Sequence, residues 1–140
     1  MIIVAEDNDE IRHDIYEFLK KKDEVLQAGD GDELVKLVEF AFPVRSSKLS
    51  VLSDTDMPKM SGDIACKKLL DLGLDIPIIG MSDNSGNEYR WDKIGIWQTF
   101  ILKIPPYSRI AETFISRLNS INSNPLIYRL ENGLYRRSIR

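Results

Sequence analysis

Short apolar segments that end in acidic residues are the feature of this sequence that most restricts its fold. Residues 2–5 read IIVA and precede Glu6 and Asp7, while residues 49–52 read LSVL and lead to Asp54. Apolar runs of this length, rich in β-branched residues, are typical of strands buried on both faces of a parallel sheet. Because open α/β sheets bind their ligands at the carboxyl ends of the strands, we expect the chemistry of the protein at these acids.

Amphipathic helical segments separate the apolar runs. The predicted strands are residues 2–5, 24–28, 49–54, 76–81 and 99–102, and the predicted helices are residues 9–22, 32–42, 63–72, 88–94 and 108–121. Pro43 is expected to stop the second helix, because proline lacks the backbone N–H that a helix needs. Five strands that alternate with helices predict an α/β fold: a flavodoxin-like, doubly wound parallel sheet of five strands in the order 2-1-3-4-5.

Composition limits the chain to one soluble domain with a short extension. The sequence has 140 residues, of which 43% are hydrophobic and 29% charged, and its net charge of −3 argues against a whole-domain nucleic-acid surface. No apolar run approaches the roughly 20 residues of a membrane span, and no signal peptide precedes the first strand, so we expect a cytoplasmic protein. The single cysteine, Cys66, is predicted to be a buried and unreactive thiol.

Five polar side chains fall at the carboxyl ends of four predicted strands. They are Glu6, Asp7, Asp54, Ser82 and Lys103. In a parallel sheet these ends share one edge, where three carboxylates would repel one another unless a cation joined them. Oxygen ligands of this kind suit Mg²⁺, and a lysine and a serine hydroxyl can hold phosphoryl oxygens. The set therefore predicts a phosphoryl-transfer site with an aspartate nucleophile.

At these residues the sequence resembles the response-regulator receiver domain of two-component signalling, which has a CheY-like fold. Residues 54–62 read DTDMPKMSG and match the pattern Asp-x-x-Met-Pro-x-Met-x-Gly. The acidic pair before it, the hydroxyl and the lysine after it follow in the family's order, and Phe100 stands at the aromatic switch position, three residues before the lysine. The resemblance covers residues 1–121, the predicted receiver domain.

The resemblance implies that Asp54 accepts a phosphoryl group from a histidine kinase or a phosphotransfer protein. Asp7 and Asp54 would bind Mg²⁺ directly, Glu6 through water, and Asp56 through its backbone carbonyl. Such a domain is not an enzyme in the usual sense, because it catalyses only its own phosphorylation and dephosphorylation.

A switch is also implied by the resemblance. Ser82 and Lys103 would hold the phosphoryl oxygens, and movement of Ser82 would let Phe100 turn inward. That rotation would remodel the face formed by the fourth helix, the fifth strand and the fifth helix, where a downstream protein or a second copy of the chain would bind.

Three residues depart from the family's pattern. Asp83 follows the switch hydroxyl where a small residue is usual, and Asp56 adds another side-chain carboxylate, so we expect both to modulate phosphorylation by crowding the site with negative charge. Ile104 follows Lys103 where the family has a proline joined by a cis peptide. Since a cis bond before a residue other than proline costs roughly 3 kcal/mol, either this strain is tolerated or the loop takes a trans path.

Residues 122–140 form a basic extension outside the receiver pattern. Asn132-Gly133 lies between residues 126–131 (LIYRLE) and residues 134–139 (LYRRSI), which is the signal of a β-hairpin. An isolated hairpin is marginally stable, so packing on the domain or dimerisation is favoured over disorder. The segment is too short for a helix-turn-helix domain, so its basic charge does not predict nucleic-acid binding.

Three functions are compatible with these residues. The favoured one is a stand-alone receiver that is phosphorylated and then binds a protein. A receiver-like adaptor that takes no phosphate is the first alternative, motivated by Asp83 and Ile104. The second is a phosphatase, because Asp54-x-Asp56, Ser82 and Lys103 also resemble the haloacid dehalogenase motifs. In that superfamily, however, the additional acidic pair follows the lysine, and this chain has no room for the usual cap domain.

Overall fold

The computed structural model describes residues 1–45, 48–95 and 100–123 as a parallel sheet with helices on both faces. The five strands are β1 (Ile2–Ala5), β2 (Val25–Ala28), β3 (Ser50–Asp54), β4 (Ile78–Ser82) and β5 (Ile101–Leu102). They are arranged β2-β1-β3-β4-β5 and pair in parallel, which confirms the predicted order. The helices are α1 (Asp9–Leu19), α2 (Gly31–Arg45), α3 (Gly62–Asp71), α4 (Glu88–Lys93) and α5 (Ser108–Ser123), with a 3₁₀ turn at Ser85–Asn87 before α4.

Consecutive side chains of a strand point to opposite faces of the sheet, and this divides the core into two clusters. Ile3 and Ala5 of β1 belong to a cluster that includes side chains of α2, α3 and α4, whereas Ile2 and Val4 belong to a second cluster with side chains of α1 and α5. Each face of the strand therefore meets a helical layer. This explains why residues 2–5 are apolar without interruption rather than alternately polar.

The predicted end of the second helix is wrong. Helix α2 continues through Pro43 to Arg45. A proline there removes only one hydrogen bond, close to the end of the helix. Pro43 and Val44 are exposed, so local distortion of the last turn disturbs no packed side chain.

Other boundaries agree with the sequence to within a few residues. Strand β4 begins at Ile78, and Pro77 stands just before it, where its carbonyl accepts a hydrogen bond from the Val51 N–H at 2.9 Å. Cys66 is buried, as predicted. Within the described ranges, no helix combines the length and the apolar character that crossing a bilayer requires.

A close backbone contact fixes the loop after β3. The N–H of Gly62 donates to the carbonyl of Thr55 at 2.7 Å, and a Cβ at this glycine would overlap the carbonyl oxygen of Asp54. Only glycine allows helix α3 to begin so near the strand end. The glycine that closes the motif of residues 54–62 is thus a requirement of chain geometry, not only of chemistry.

Candidate functional site

Three carboxylates meet beyond the ends of β1 and β3. The two strands are neighbours, with Ala5 opposite Ser53, so Glu6 and Asp7 come next to Asp54. One carboxylate oxygen from each of the three acids lies within 4.8 Å of the others. Glu6 and Asp54 are buried, whereas Asp7 is exposed and leaves the group open to solvent on one side.

Lys103 reaches this acidic group from the end of β5. Its Nζ lies 2.7 Å from Oε1 of Glu6 and 3.2 Å from Oδ1 of Asp54. Burial lowers the pKa of Lys103, but the hydrogen bond to Glu6 and the charges of both acids outweigh this effect and raise the pKa. Lys103 is therefore protonated and balances part of the negative charge.

The pKa of Asp54 is raised to about 7. Burial is the largest cause, and the charge of Glu6 adds to it, while Lys103 acts in the opposite direction. Near neutral pH this carboxyl group is therefore divided between its protonated and ionised forms. Any cation that binds beside it will favour the ionised form.

The acidic group suits a hard divalent cation. All three side chains offer oxygen, the donor that Mg²⁺ prefers, and ligand oxygens on one Mg²⁺ lie about 3–4 Å apart. The observed spread of up to 4.8 Å needs only small side-chain movements to reach that geometry. Glu6, Asp7 and Asp54 thus fit Mg²⁺, and the predicted part of the Asp56 carbonyl stays a prediction.

The carboxylate of Asp56 is paired with a residue of helix α4. Its Oδ1 lies 2.7 Å from Nη1 of Arg90, and its Oδ2 accepts a hydrogen bond from Nδ2 of Asn87 at 3.1 Å. The bond to Arg90 is the main reason that the pKa of Asp56 is lowered. The negative charge that we expected to crowd the site is therefore offset at Asp56. Asp83 is exposed to solvent, and its modulating role stays a prediction.

Ser82 and Phe100, the predicted switch residues, are both buried. The hydroxyl of Ser82 accepts hydrogen bonds from the Asn84 backbone N–H at 3.1 Å and from Nδ2 of Asn87 at 2.9 Å. Phe100 is 8% exposed and belongs to the core cluster that contains Trp91. The predicted inward rotation of Phe100 thus has no outward starting position in this structure, and the switch itself stays a prediction.

The loop beside Lys103 resolves the alternative left open by Ile104. Among the described residues, the cis peptide bond is that between Pro105 and Pro106, so the chain is trans between Lys103 and Ile104. Lys103 nevertheless lies against Asp54. Placement of the lysine therefore does not depend on a proline at position 104.

Two buried residues, Thr55 and Trp91, join helix α4 to the loop after β3, and sequence reasoning missed this connection. Thr55 Oγ1 donates to the Met81 carbonyl at 2.8 Å and accepts from Trp91 Nε1 at 2.8 Å. The Trp91 ring is fully buried and lies over Gly80, where a Cβ would overlap the ring. A glycine inside a strand is the one available sign of such close packing.

Two predictions fall on residues that the structure does not describe. Trp97, which the sequence places near the fourth helix, lies outside the described residues. The same holds for residues 124–140. The hairpin and the dimerising role of the extension therefore stay predictions.

Comparison of the sequence with protein families gives one match that covers most of the chain. The profile described as "Response regulator receiver domain" matches residues 2–103. The chain belongs to the response regulator receiver family. The response-regulator receiver class predicted from the motif of residues 54–62 is thus confirmed.

Solved structures of other receivers share the fold of this receiver domain. One chain of the CheX–CheY–BeF3–Mg complex from Borrelia burgdorferi has 18% sequence identity to this chain and a TM-score of 0.69. The alignment covers 84% of this chain and 87% of that chain. The chemotaxis response regulator CheY4 of Vibrio cholerae is 21% identical with a TM-score of 0.67, covering 86% and 96%. The receiver domain of the regulator NarL from Mycobacterium tuberculosis is 19% identical with a TM-score of 0.65, covering 83% and 93%.

At identities below 25%, these likenesses show a shared fold. No curated protein matches the chain by sequence.

Proposed function

We propose that this receiver domain is a stand-alone, cytoplasmic response regulator that accepts a phosphoryl group on Asp54 in a Mg²⁺-dependent step. The observation that carries the proposal is the placement of Asp54 between Lys103, 3.2 Å away, and the acidic pair, within 4.8 Å. A nucleophilic carboxylate, a fixed cation and a place for a second cation are the parts that phosphoryl transfer needs.

The reaction requires an ionised Asp54. A carboxylate oxygen of Asp54 attacks the phosphorus of a phosphohistidine, the P–O bond forms as the P–N bond breaks, and the imidazole leaves with the electron pair. Lys103 can move from Glu6 and Asp54 toward a phosphoryl oxygen, and the Ser82 hydroxyl can donate to another. Bound Mg²⁺ would supply positive charge that favours the ionised carboxylate and offsets the charge of the phosphoryl oxygens.

The donor and the target of the signal are both proteins in this proposal. A histidine kinase or a phosphotransfer protein supplies the phosphoryl group, and a downstream protein binds the altered face. Support for this face comes from β5, which is an edge strand of the sheet, and from three exposed side chains: Leu102 in β5, Ile104 two residues after it, and Tyr89 in α4. Homodimerisation through the same face or through residues 122–140 is part of the proposal.

Mg²⁺-dependent labelling tests the proposal. The chain is incubated with radiolabelled acetyl phosphate, and separately with a phosphorylated histidine phosphotransfer protein, in the presence and absence of Mg²⁺. We expect one acid-stable, base-labile phosphoryl group per chain in Mg²⁺ and none in the Asp54→Asn variant. Retained labelling of that variant would contradict the assignment of Asp54.

The same experiment separates the alternatives. Failure of every donor to label the chain would favour the receiver-like adaptor. Sustained release of inorganic phosphate from a phosphomonoester, over many turnovers, would favour the phosphatase. A receiver instead releases phosphate only from its own aspartyl phosphate.

A further inference from the structure

The side chain of Asn87 bridges the switch hydroxyl and the loop after β3. It ends the 3₁₀ turn before α4 and is only 9% exposed. Its Nδ2 lies 2.9 Å from Oγ of Ser82 and 3.1 Å from Oδ2 of Asp56. The two amide hydrogens of Asn87 are therefore both donated, one to a residue at the end of β4 and one to a residue just after β3.

Arg90 fixes the direction of the Asn87 amide. Its Nη1 donates to Oδ1 of Asn87 at 3.3 Å and to Oδ1 of Asp56 at 2.7 Å. The same guanidinium holds Asp63 of helix α3, with Nη2 donating to Oδ1 at 2.9 Å. A flipped amide would direct its N–H groups at the guanidinium and its oxygen at a carboxylate, so this network permits only one orientation.

This orientation limits what the Ser82 hydroxyl can do. A hydroxyl has two acceptor positions and one donor hydrogen. The Asn84 N–H and the Asn87 amide fill both acceptor positions of Ser82. The hydroxyl can then act on a neighbour only by donating its hydrogen, and N–H groups that donate to it make that hydrogen a stronger donor.

We propose that Asn87 is the positioning residue for phosphoryl binding at this site. By accepting no bond from Ser82 and donating one to it, Asn87 presents the Ser82 O–H to a phosphoryl oxygen on Asp54. The inference rests on the proposed function. It adds a residue that belongs to neither the metal group nor the motif, and it links that residue through Asp56 to the loop after β3.

Binding of beryllofluoride, a stand-in for the phosphoryl group, tests the role of Asn87. Wild type, Asn87→Leu, Ser82→Ala and the double variant are titrated with beryllofluoride in saturating Mg²⁺, and bound ligand is followed by fluorine NMR. Since a hydrogen bond to a charged group is worth at least about tenfold in affinity, each single variant should bind about tenfold more weakly. The double variant should bind no more weakly than Ser82→Ala, because Asn87 acts through that hydroxyl.

A second measurement separates positioning from structural damage. Mg²⁺ affinity, measured by calorimetry without beryllofluoride, should change less than about twofold in Asn87→Leu, since this residue offers no ligand to the ion. Asn119→Leu, at an exposed position on α5, is the matched control and should bind both ligands as wild type does. If Asn87→Leu does not fold, Asn87→Asp replaces it, because a carboxylate has no hydrogen to donate to Ser82 and should weaken beryllofluoride binding similarly.

The outcomes distinguish this inference from the proposed function. Wild-type affinity for beryllofluoride in Asn87→Leu would overturn the role of Asn87 and leave the phosphoacceptor proposal standing. Losses that multiply in the double variant would also overturn it, because they would mean that Asn87 acts independently of Ser82. A wild-type chain that binds no beryllofluoride and takes no label on Asp54 would overturn both.

Discussion

At the scale of single residues, the charge of Asp54 is decided by opposing neighbours. Burial and Glu6 favour its protonated form, and Lys103 favours the ionised form. The result, a pKa raised to about 7, means that the folded protein holds the proton more tightly than the unfolded chain, where the ordinary value of 3.8 applies. Ionisation of Asp54, which phosphoryl transfer requires, therefore costs folding stability.

Replacement of Asp54 by asparagine should therefore stabilise the protein above neutral pH. The stability that the raised pKa confers is present below about pH 4 and is lost as the pH rises to about 7. An asparagine side chain carries no charge at any pH, so Asp54→Asn should exceed wild type by on the order of 2–4 kcal/mol at about pH 8, and by little near about pH 4. Urea unfolding across this range measures the difference.

A variant at an exposed aspartate serves as the control for this pH series. Asp14→Asn, on the solvent side of α1, should follow the wild-type stability curve. A difference between Asp54→Asn and wild type that stayed constant with pH would mean that Asp54 keeps an ordinary pKa in the fold.

Asp83 should slow phosphorylation by anionic small molecules. Its carboxylate is exposed, so water and salt weaken its repulsion of acetyl phosphate. We expect Asp83→Ala to raise the labelling rate about two- to fivefold at low ionic strength, and less at high ionic strength. Asp14→Ala is the matched control, and equal rates for Asp83→Ala and wild type would remove Asp83 from the modulating residues.

At the scale of the elements, α4 depends on side-chain anchors. It has six residues, too few for an isolated helix to be stable. The Trp91 indole is bonded to Thr55, and the Arg90 guanidinium to Asp56 and Asp63. Helix α4 therefore holds its position through the loop and the helix that follow strand β3.

The contact between Gly80 and Trp91 should show strong coupling. Gly80→Ala would place a Cβ against the indole ring with no room between them, which we expect to cost about 2–4 kcal/mol of stability. In a Trp91→Leu background the ring is absent, so the same alanine should cost less than about 1 kcal/mol. Urea unfolding of the four proteins gives the coupling energy.

The result that would refute this contact is additivity. If Gly80→Ala costs the same in the Trp91→Leu background as in the wild-type chain, the indole does not lie over the strand at this glycine.

Local sequence signals predicted the elements well where tertiary packing agreed with them. The strand order could be predicted because strands alternate with helices along the chain, and the fixed handedness of the crossovers then leaves few arrangements. The predicted end of α2 was wrong because proline was expected to stop the helix at Pro43. That residue lies in the exposed last turn, where the helix accommodates it. Propensity describes a residue in isolation, and here the surrounding helix overrode it.

Part of the site could be predicted because strand topology places its residues. Glu6, Asp7, Asp54 and Lys103 each lie at or just after the end of a strand, so topology alone brings them to one edge of the sheet. The network around Asn87 could not be inferred, because it joins residues about thirty positions apart through side-chain bonds: Asn87 with Asp56, Arg90 with Asp63, and Trp91 with Thr55. The sequence carries no pattern that pairs these residues, so it predicted repulsion from the Asp56 carboxylate and not its pairing with Arg90.

At the scale of the whole molecule, the described residues complete both helical layers. The last buried side chain of α5 is Ile121, which belongs to the same cluster as Val4 of the central sheet. If the extension dimerises and does not pack on the domain, a chain of residues 1–123 should fold with a melting temperature within about 4 °C of the full chain, a change of less than about 1 kcal/mol for a domain of this size. Calorimetry of the two chains measures the difference.

Comparison of the same two chains also tests the predicted extension. Light scattering should show a dimer for residues 1–140 and a monomer for residues 1–123 if the extension dimerises. A shorter chain that unfolds far below the full chain would show that the extension packs on the domain, and that residues 1–121 are not an independent unit.

The indole N–H of Trp91 also gives the molecule a built-in spectroscopic reporter. This proton is buried and bonded to the hydroxyl of Thr55, the residue next to Asp54. Its chemical shift depends on the length of that bond, which changes whenever the backbone at Thr55 moves. The sequence has two tryptophans, so Trp91→Leu assigns the resonance by its disappearance from a spectrum with two indole signals. Events at the acidic edge of the sheet can thus be followed at α4 with no added label.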